Sequence, residues 1–132
     1  MRFIHDVIND VVALLRRDER LSGVDIQPDY GDRKHPNPLK SPVITVGLSS
    51  AHAYNATLTE PETQIIHILV DIFIPNRYDG MTGYTHYAAM LEDLLLDSDA
   101  KRLGVESIAF KGIKAAGQFG TYNFQCELSI SC

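Results

Sequence analysis

Five histidines, two cysteines and a scatter of carboxylates are the residues of this chain that could do chemistry. The histidines are His5, His35, His52, His67 and His86, and none stands at a metal-ligand spacing from another histidine, a cysteine or an acid. Neither H-E-x-x-H nor C-x-x-C occurs, so no metal ion and no cofactor is expected. His86 falls on the polar side of a helical stripe and reads as a solvated surface residue. Glu92, Asp93, Asp97 and Asp99 are acidic but lack the D-x-D-x-D-G calcium loop, and a helix would spread them over the surface. The serines and cysteines have no G-x-S-x-G elbow. Gly31, Gly80, Gly83, Gly117 and Gly120 fit no phosphate-binding spacing. An enzyme is therefore not the expectation.

One polar pair stands out. His67 and Asp71 share the second face of the segment Ile65–Ile74, whose first face is Ile66, Ile68, Val70, Ile72 and Ile74. Four positions along a strand are about 13 Å apart, so the two cannot touch directly. The alternation reads them as polar groups on an exposed sheet face, and the functional alternative places them in a subunit contact or a channel lining. The final segment repeats the pattern: Tyr122, Phe124, Cys126, Leu128, Ile130 and Cys132 alternate with Asn123, Gln125, Glu127, Ser129 and Ser131. Such a segment has one dry and one wet face. A sheet built this way is covered by helices on one side only, leaving Gln125 and Glu127 beside His67 and Asp71 on the other. Cys126 and Cys132, on one side of the strand, would have Cα atoms roughly 20 Å apart, beyond disulfide reach. They read as small apolar core residues in a reducing cytosol.

The elements that would position these residues follow from periodicity. Ile4, Val7, Ile8, Val11, Leu14 and Leu15 predict an amphipathic helix over Phe3–Asp18, broken at Ser22-Gly23. Val24–Gln27 predicts a short strand ended by Pro28. From residue 29 to 42 a long loop is expected, because Pro36, Pro38 and Pro42 oppose helix and ladder alike. Its middle is basic through Arg33, Lys34, His35 and Lys40. Loops of such length are usually functional or disordered; the functional reading is an arm that orders against a neighbouring subunit. Val43–Ser49 predicts a strand that Ala53–Leu58 continues or pairs with, before a turn at Thr59-Glu60-Pro61. Ile65–Ile74 is the expected central strand. After turn chemistry at Pro75–Gly80, Tyr84, Tyr87, Ala88, Leu91, Leu94 and Leu95 predict a second helix ending near Ser98. Val105–Lys114 and the last segment predict a hairpin. The expected fold is α+β: two layers, a mostly antiparallel sheet with two helices packed on one face.

Length and composition fit one domain over residues 1–132. With 132 residues, 45% hydrophobic and 22% charged, the chain can form a core without disulfides or metals. A net charge of −5 argues against binding through captured phosphates. The N-terminus does not read as a signal peptide, since Asp6, Asn9 and Asp10 interrupt its first apolar stretch. The run Ile65–Pro75 is too short to span a bilayer, so no membrane role is expected. Asn55-Ala56-Thr57 fits a glycosylation sequon, which is expected to carry no meaning without secretion.

The layout resembles the tail terminator proteins of long-tailed bacteriophages, and more broadly the tail-completion and neck proteins of that fold. The resemblance rests on the helix from Phe3, the loop Asp29–Ser41, the strand ending Ile72-Phe73-Ile74-Pro75, the helix closing Leu94-Leu95-Leu96, and the alternating hairpin to Cys132. It spans nearly the whole chain as a match of order and texture, with no diagnostic short motif. It implies a structural virion protein, assembled in the host cytoplasm. Such a protein forms a ring, usually a hexamer, that caps the tail tube and joins it to the head. The implied partners are other copies, the tail tube protein and a head or neck connector protein, with DNA passing through the lumen without specific binding. On that reading Arg33, Lys34 and Lys40 are candidates for tube or neighbour contacts, and His67, Asp71, Gln125 and Glu127 for the open sheet face. Two alternatives stand beside it: another neck or head-completion connector, or a small non-viral α+β domain whose open face binds a ligand or forms an enzyme pocket.

Overall fold

The structure, a computed structural model, describes residues 4–29, 42–49, 65–75, 80–116 and 121–131. It begins with helix α1, Ile4–Arg16. Val7, Ile8, Val11, Leu14 and Leu15 are buried as the apolar stripe requires, and Val12 widens it. Asp6 in the first turn and Arg16 in the last suit the helix dipole. The chain does not break simply at Ser22-Gly23. A 3-10 turn, Glu19–Leu21, comes first, capped by Asp18, whose side chain accepts the Arg20 N–H.

Strand β1, Asp25–Asp29, runs through Pro28 instead of stopping before it. The reason is its place in the sheet. The strand order is β1-β2-β3-β5-β4, with β2 at Val43–Leu48, β3 at Ile65–Pro75, β4 at Val105–Ala116 and β5 at Thr121–Ser131. Strand β1 is an edge, where proline's missing N–H is tolerated. It pairs with β2 in parallel, Asp25 opposite Val43 and Asp29 opposite Gly47; the other three pairings are antiparallel. Arg16 ties α1 to this edge, donating from Nε (3.0 Å) and Nη2 (2.6 Å) to the Ile26 carbonyl. Gly47 allows the close approach of β1: a Cβ there would lie 2.6 Å from the Asp29 carbonyl oxygen.

The fold is α+β with a mostly antiparallel sheet, but among the described residues three helices cover it, not two. Helix α2 spans Gly80–Leu95 and α3 spans Ser98–Leu103. The stop between them is chemical. Asp97 accepts the Asp99 and Ala100 N–H groups at 2.9 and 3.0 Å as an N-cap, and Gly104 closes α3 in the left-handed region at φ 96°. Asp97 therefore has a structural job, whereas Glu92 and Asp93 are exposed. Ala100 of α3, the α1 stripe and Met90, Leu91, Leu94 and Leu95 of α2 share one apolar cluster with a single sheet face. That face is Ile44 and Val46 of β2, Ile66, Ile68, Val70, Ile72 and Ile74 of β3, and Phe124, Cys126, Leu128 and Ile130 of β5.

Strand β4 departs from regular alternation twice. Between Val105 and Ser107, and again between Phe110 and Ile113, it advances one residue more than β5 does. Each is a β-bulge, which twists the strand and re-aims a side chain. The expected hairpin of β4 and β5 is present as an antiparallel pair. The expected strand Ala53–Leu58, the turns at residues 59–61 and 76–79, and residues 30–41 of the long loop lie outside the described residues, while Asp29, expected to open that loop, instead ends β1. Among the described residues no helix is long and apolar enough to cross a membrane.

Candidate functional site

The face of the sheet turned away from the helices collects the polar residues of five strands. By register, Asp71 lies between Thr45 and Gln125, and His67 lies opposite Ser129. The sequence reading of this face holds in placement: His67, Asp71, Gln125 and Glu127 all lie on it. It does not hold in hydration. Thr45 and Ser49 are each 2% exposed and Asn123 is 5% exposed, while His67, Asp71, Gln125 and Glu127 are half-buried. Alternation fixes which way a side chain points, but not how much water reaches it between crowded neighbours.

What makes that burial tolerable is mutual satisfaction. A buried polar group without a partner costs roughly 1–3 kcal/mol, and the side chains here serve one another. Asp71 Oδ1 accepts from Gln125 Nε2 at 2.8 Å and from Asn123 Nδ2 at 3.1 Å; Asn123 also donates to the Ile72 carbonyl at 3.2 Å. A second group centres on Glu127. Its Oε2 accepts from Ser49 Oγ at 2.9 Å and lies 3.4 Å from Lys111 Nζ. Its Oε1 lies 3.3 Å from His67 Nδ1, and Ser129 Oγ lies 3.4 Å from the same nitrogen. The Ser49 backbone N–H donates to the His67 carbonyl at 3.0 Å, holding the segment after β2 against β3. His67 and Asp71 each anchor a group: Asp71 that of Asn123 and Gln125, His67 that of Glu127 and Ser129.

Ser129, His67 and Glu127 have the composition of a hydrolytic triad but not its geometry. A triad needs the nucleophile and the carboxylate on opposite imidazole nitrogens; here both approach Nδ1. The arrangement can hold a tautomer, share a proton and fix the register of three strands. Ser49, Lys111, Asn123 and Ser129 are members that the sequence reading did not single out. Lys111 could have been found. The apolar residues Val105, Ile108, Phe110 and Ile113 are spaced three, two and three, and each three marks a bulge.

The remaining candidates do not converge on this face. Arg33, Lys34 and Lys40 lie outside the described residues. Among the described residues no three histidines, cysteines and acids gather as a metal site. A cleft of about 290 Å³ beside α1, α2 and α3 is lined by Leu14, Arg17, Asp18, Leu94 and Asp99. Its charges are already engaged: Arg17 and Arg102 with Asp99, and Arg20 with Asp18 and Asp93. The Arg20 side-chain hydrogen bonds hold the Asp18 carboxyl below its ordinary range. On the dry face, burial first and the Asp71 charge second push the Cys126 thiol up to about 12, so Cys126 is an inert, protonated core residue.

No protein-family model matches this chain, and no curated protein matches it significantly.

Proposed function

We propose that the chain is a structural assembly protein of the tail terminator type: a ring-forming subunit that caps a phage tail tube and joins it to the head, within the virion. One observation carries this reading. A five-stranded sheet places all three described helices against one face and leaves the other lined with hydrogen-bonded polar side chains from Asp71 to Ser129. A layer that satisfies its own polar groups is rigid, and a rigid surface loses little conformational entropy on docking. Copies docking through His67, Asp71, Gln125 and Glu127 would close a ring of one repeated, heterologous contact. DNA would pass through its lumen unrecognised, in keeping with the net charge of −5.

Native mass spectrometry, with negative-stain microscopy in the presence of purified tail tubes, tests this. Six-fold rings that are lost in Gln125→Arg, while the variant keeps wild-type circular dichroism, are the expected outcome. A monomer alone and with tubes, or rings untouched by Gln125→Arg, would contradict it.

A further inference from the structure

The two edges of the sheet are finished differently. Strand β1 is closed along its middle: Arg16 takes the Ile26 carbonyl, and Pro28 has no N–H to offer. Strand β4 is the other edge, and among the described residues no strand pairs with its outer side. Its two bulges, at Glu106 and after Phe110, bracket one regular run, Ser107–Phe110. Glu106, Ser107, Ala109 and Lys111 are exposed there. Ile108 and Phe110 pack against the core but are only half-buried, so the apolar layer ends unfinished at this edge. An open edge of this kind is a template for another strand.

We propose that β4 pairs antiparallel with β4 of a second copy, about a two-fold axis through Ala109. Opposed residues of neighbouring strands point to the same face, so such an axis must pass where one residue meets itself. On Ala109 it sets Ile108 against the partner's Phe110 twice over, which continues the apolar layer across the seam. It also brings the end carrying Glu106 beside the other copy's Lys111, opposite charges in both halves. Lys111, paired with Glu127 on its own chain, is 43% exposed and has room for a second carboxylate. An axis on Ile108 would set Glu106 against Phe110, and one on Phe110 would carry the pairing into the second bulge. The bulges confine the contact to one short run, and β1 is shut. The product is therefore a closed, isologous pair and not an open-ended sheet. So small a seam makes a weak, reversible dimer. It leaves the far face of the sheet untouched and does not rest on the ring reading.

Disulfide trapping in a Cys132→Ser background, where Cys126 is buried, tests the axis. Opposed residues of an antiparallel pair have Cα atoms about 4.5–5.5 Å apart, within disulfide reach. Ala109→Cys should therefore oxidise to a covalent dimer about tenfold or more faster than Ser107→Cys, whose two copies would sit about 13 Å or more apart. Sedimentation of Gln125→Arg, in which the ring contact is broken, should show a monomer–dimer equilibrium over rising concentration. Adding Ala109→Lys places two like charges on the axis and should weaken that dimer about tenfold or more, with circular dichroism unchanged. Equal trapping at both positions, a monomer at the highest concentration, or a dimer unmoved by Ala109→Lys would overturn the pairing.

Discussion

The two faces of the sheet solve the same packing problem by different means. On the helix side, Ile68, Val70, Ile72, Cys126 and Leu128 are fully buried, and shape and apolar area do the work. On the far side, Thr45, Ser49 and Asn123 are almost as buried, yet what surrounds them is a set of directional bonds around Asp71 and Glu127. The first kind of packing is strong and forgiving of the identity of its parts. The second adds less energy per residue, but it distinguishes one register from another, since a one-residue slip would pull every donor from its acceptor.

Substitutions that empty each face in turn separate the two, and the apolar face should be the more costly. Phe124→Ala should lower stability by about 3–5 kcal/mol in urea unfolding; a loss under about 1 kcal/mol would mean that the apolar cluster is not the main source of stability. On the polar face, Glu127→Ala should cost about 1–3 kcal/mol, because it strands the buried Ser49 hydroxyl and frees Lys111. Glu127→Gln, which keeps an acceptor, should cost less, and the reverse order would refute the hydrogen-bond account of this face.

The two faces also differ in their response to pH. The folded-state pKa of Cys126 is raised, so its contribution is complete below its ordinary value of about 9 and is lost as pH rises toward about 12. Over that window unfolding free energy should fall by up to about 1.4 kcal/mol per pH unit more in wild type than in Cys126→Ala. Parallel pH profiles for the two proteins would show that the thiol ionises freely. The smallest effect belongs to the helical layer: Asp97→Ala should cost about 1 kcal/mol by removing the α3 cap, read as a drop in thermal midpoint, and Asp97→Asn should restore most of it.

Much of this contrast is legible in the residue order. The α1 stripe and the alternations of β3 and β5 give the two faces directly, because a period of 3.6 or 2 maps straight onto direction. The third helix was legible too, in Asp97 and Gly104, but those signals are overwritten if the acids around them are read only as surface charge. Pairing was not legible. Nothing local in Asp25–Asp29 says that it runs parallel to β2, since the partner is set by the chain path and by the space Gly47 leaves. The burial of Thr45 and Asn123 was equally hidden, for it depends on neighbours far away in sequence. Lys111 was half legible: the irregular apolar spacing of β4 announces the bulges, but only the fold reveals that one of them carries the lysine to Glu127.

The most direct test of the two-face account is thiol labelling of single-cysteine proteins at low concentration. In a Cys132→Ser background, Cys126 should react only as fast as the whole protein unfolds. In a Cys126→Ala, Cys132→Ser background, Ser129→Cys should react from the folded state, orders of magnitude faster and without dependence on global stability. Equal, unfolding-limited rates at both positions would contradict the account, since the polar face would then be as closed to the outside as the core.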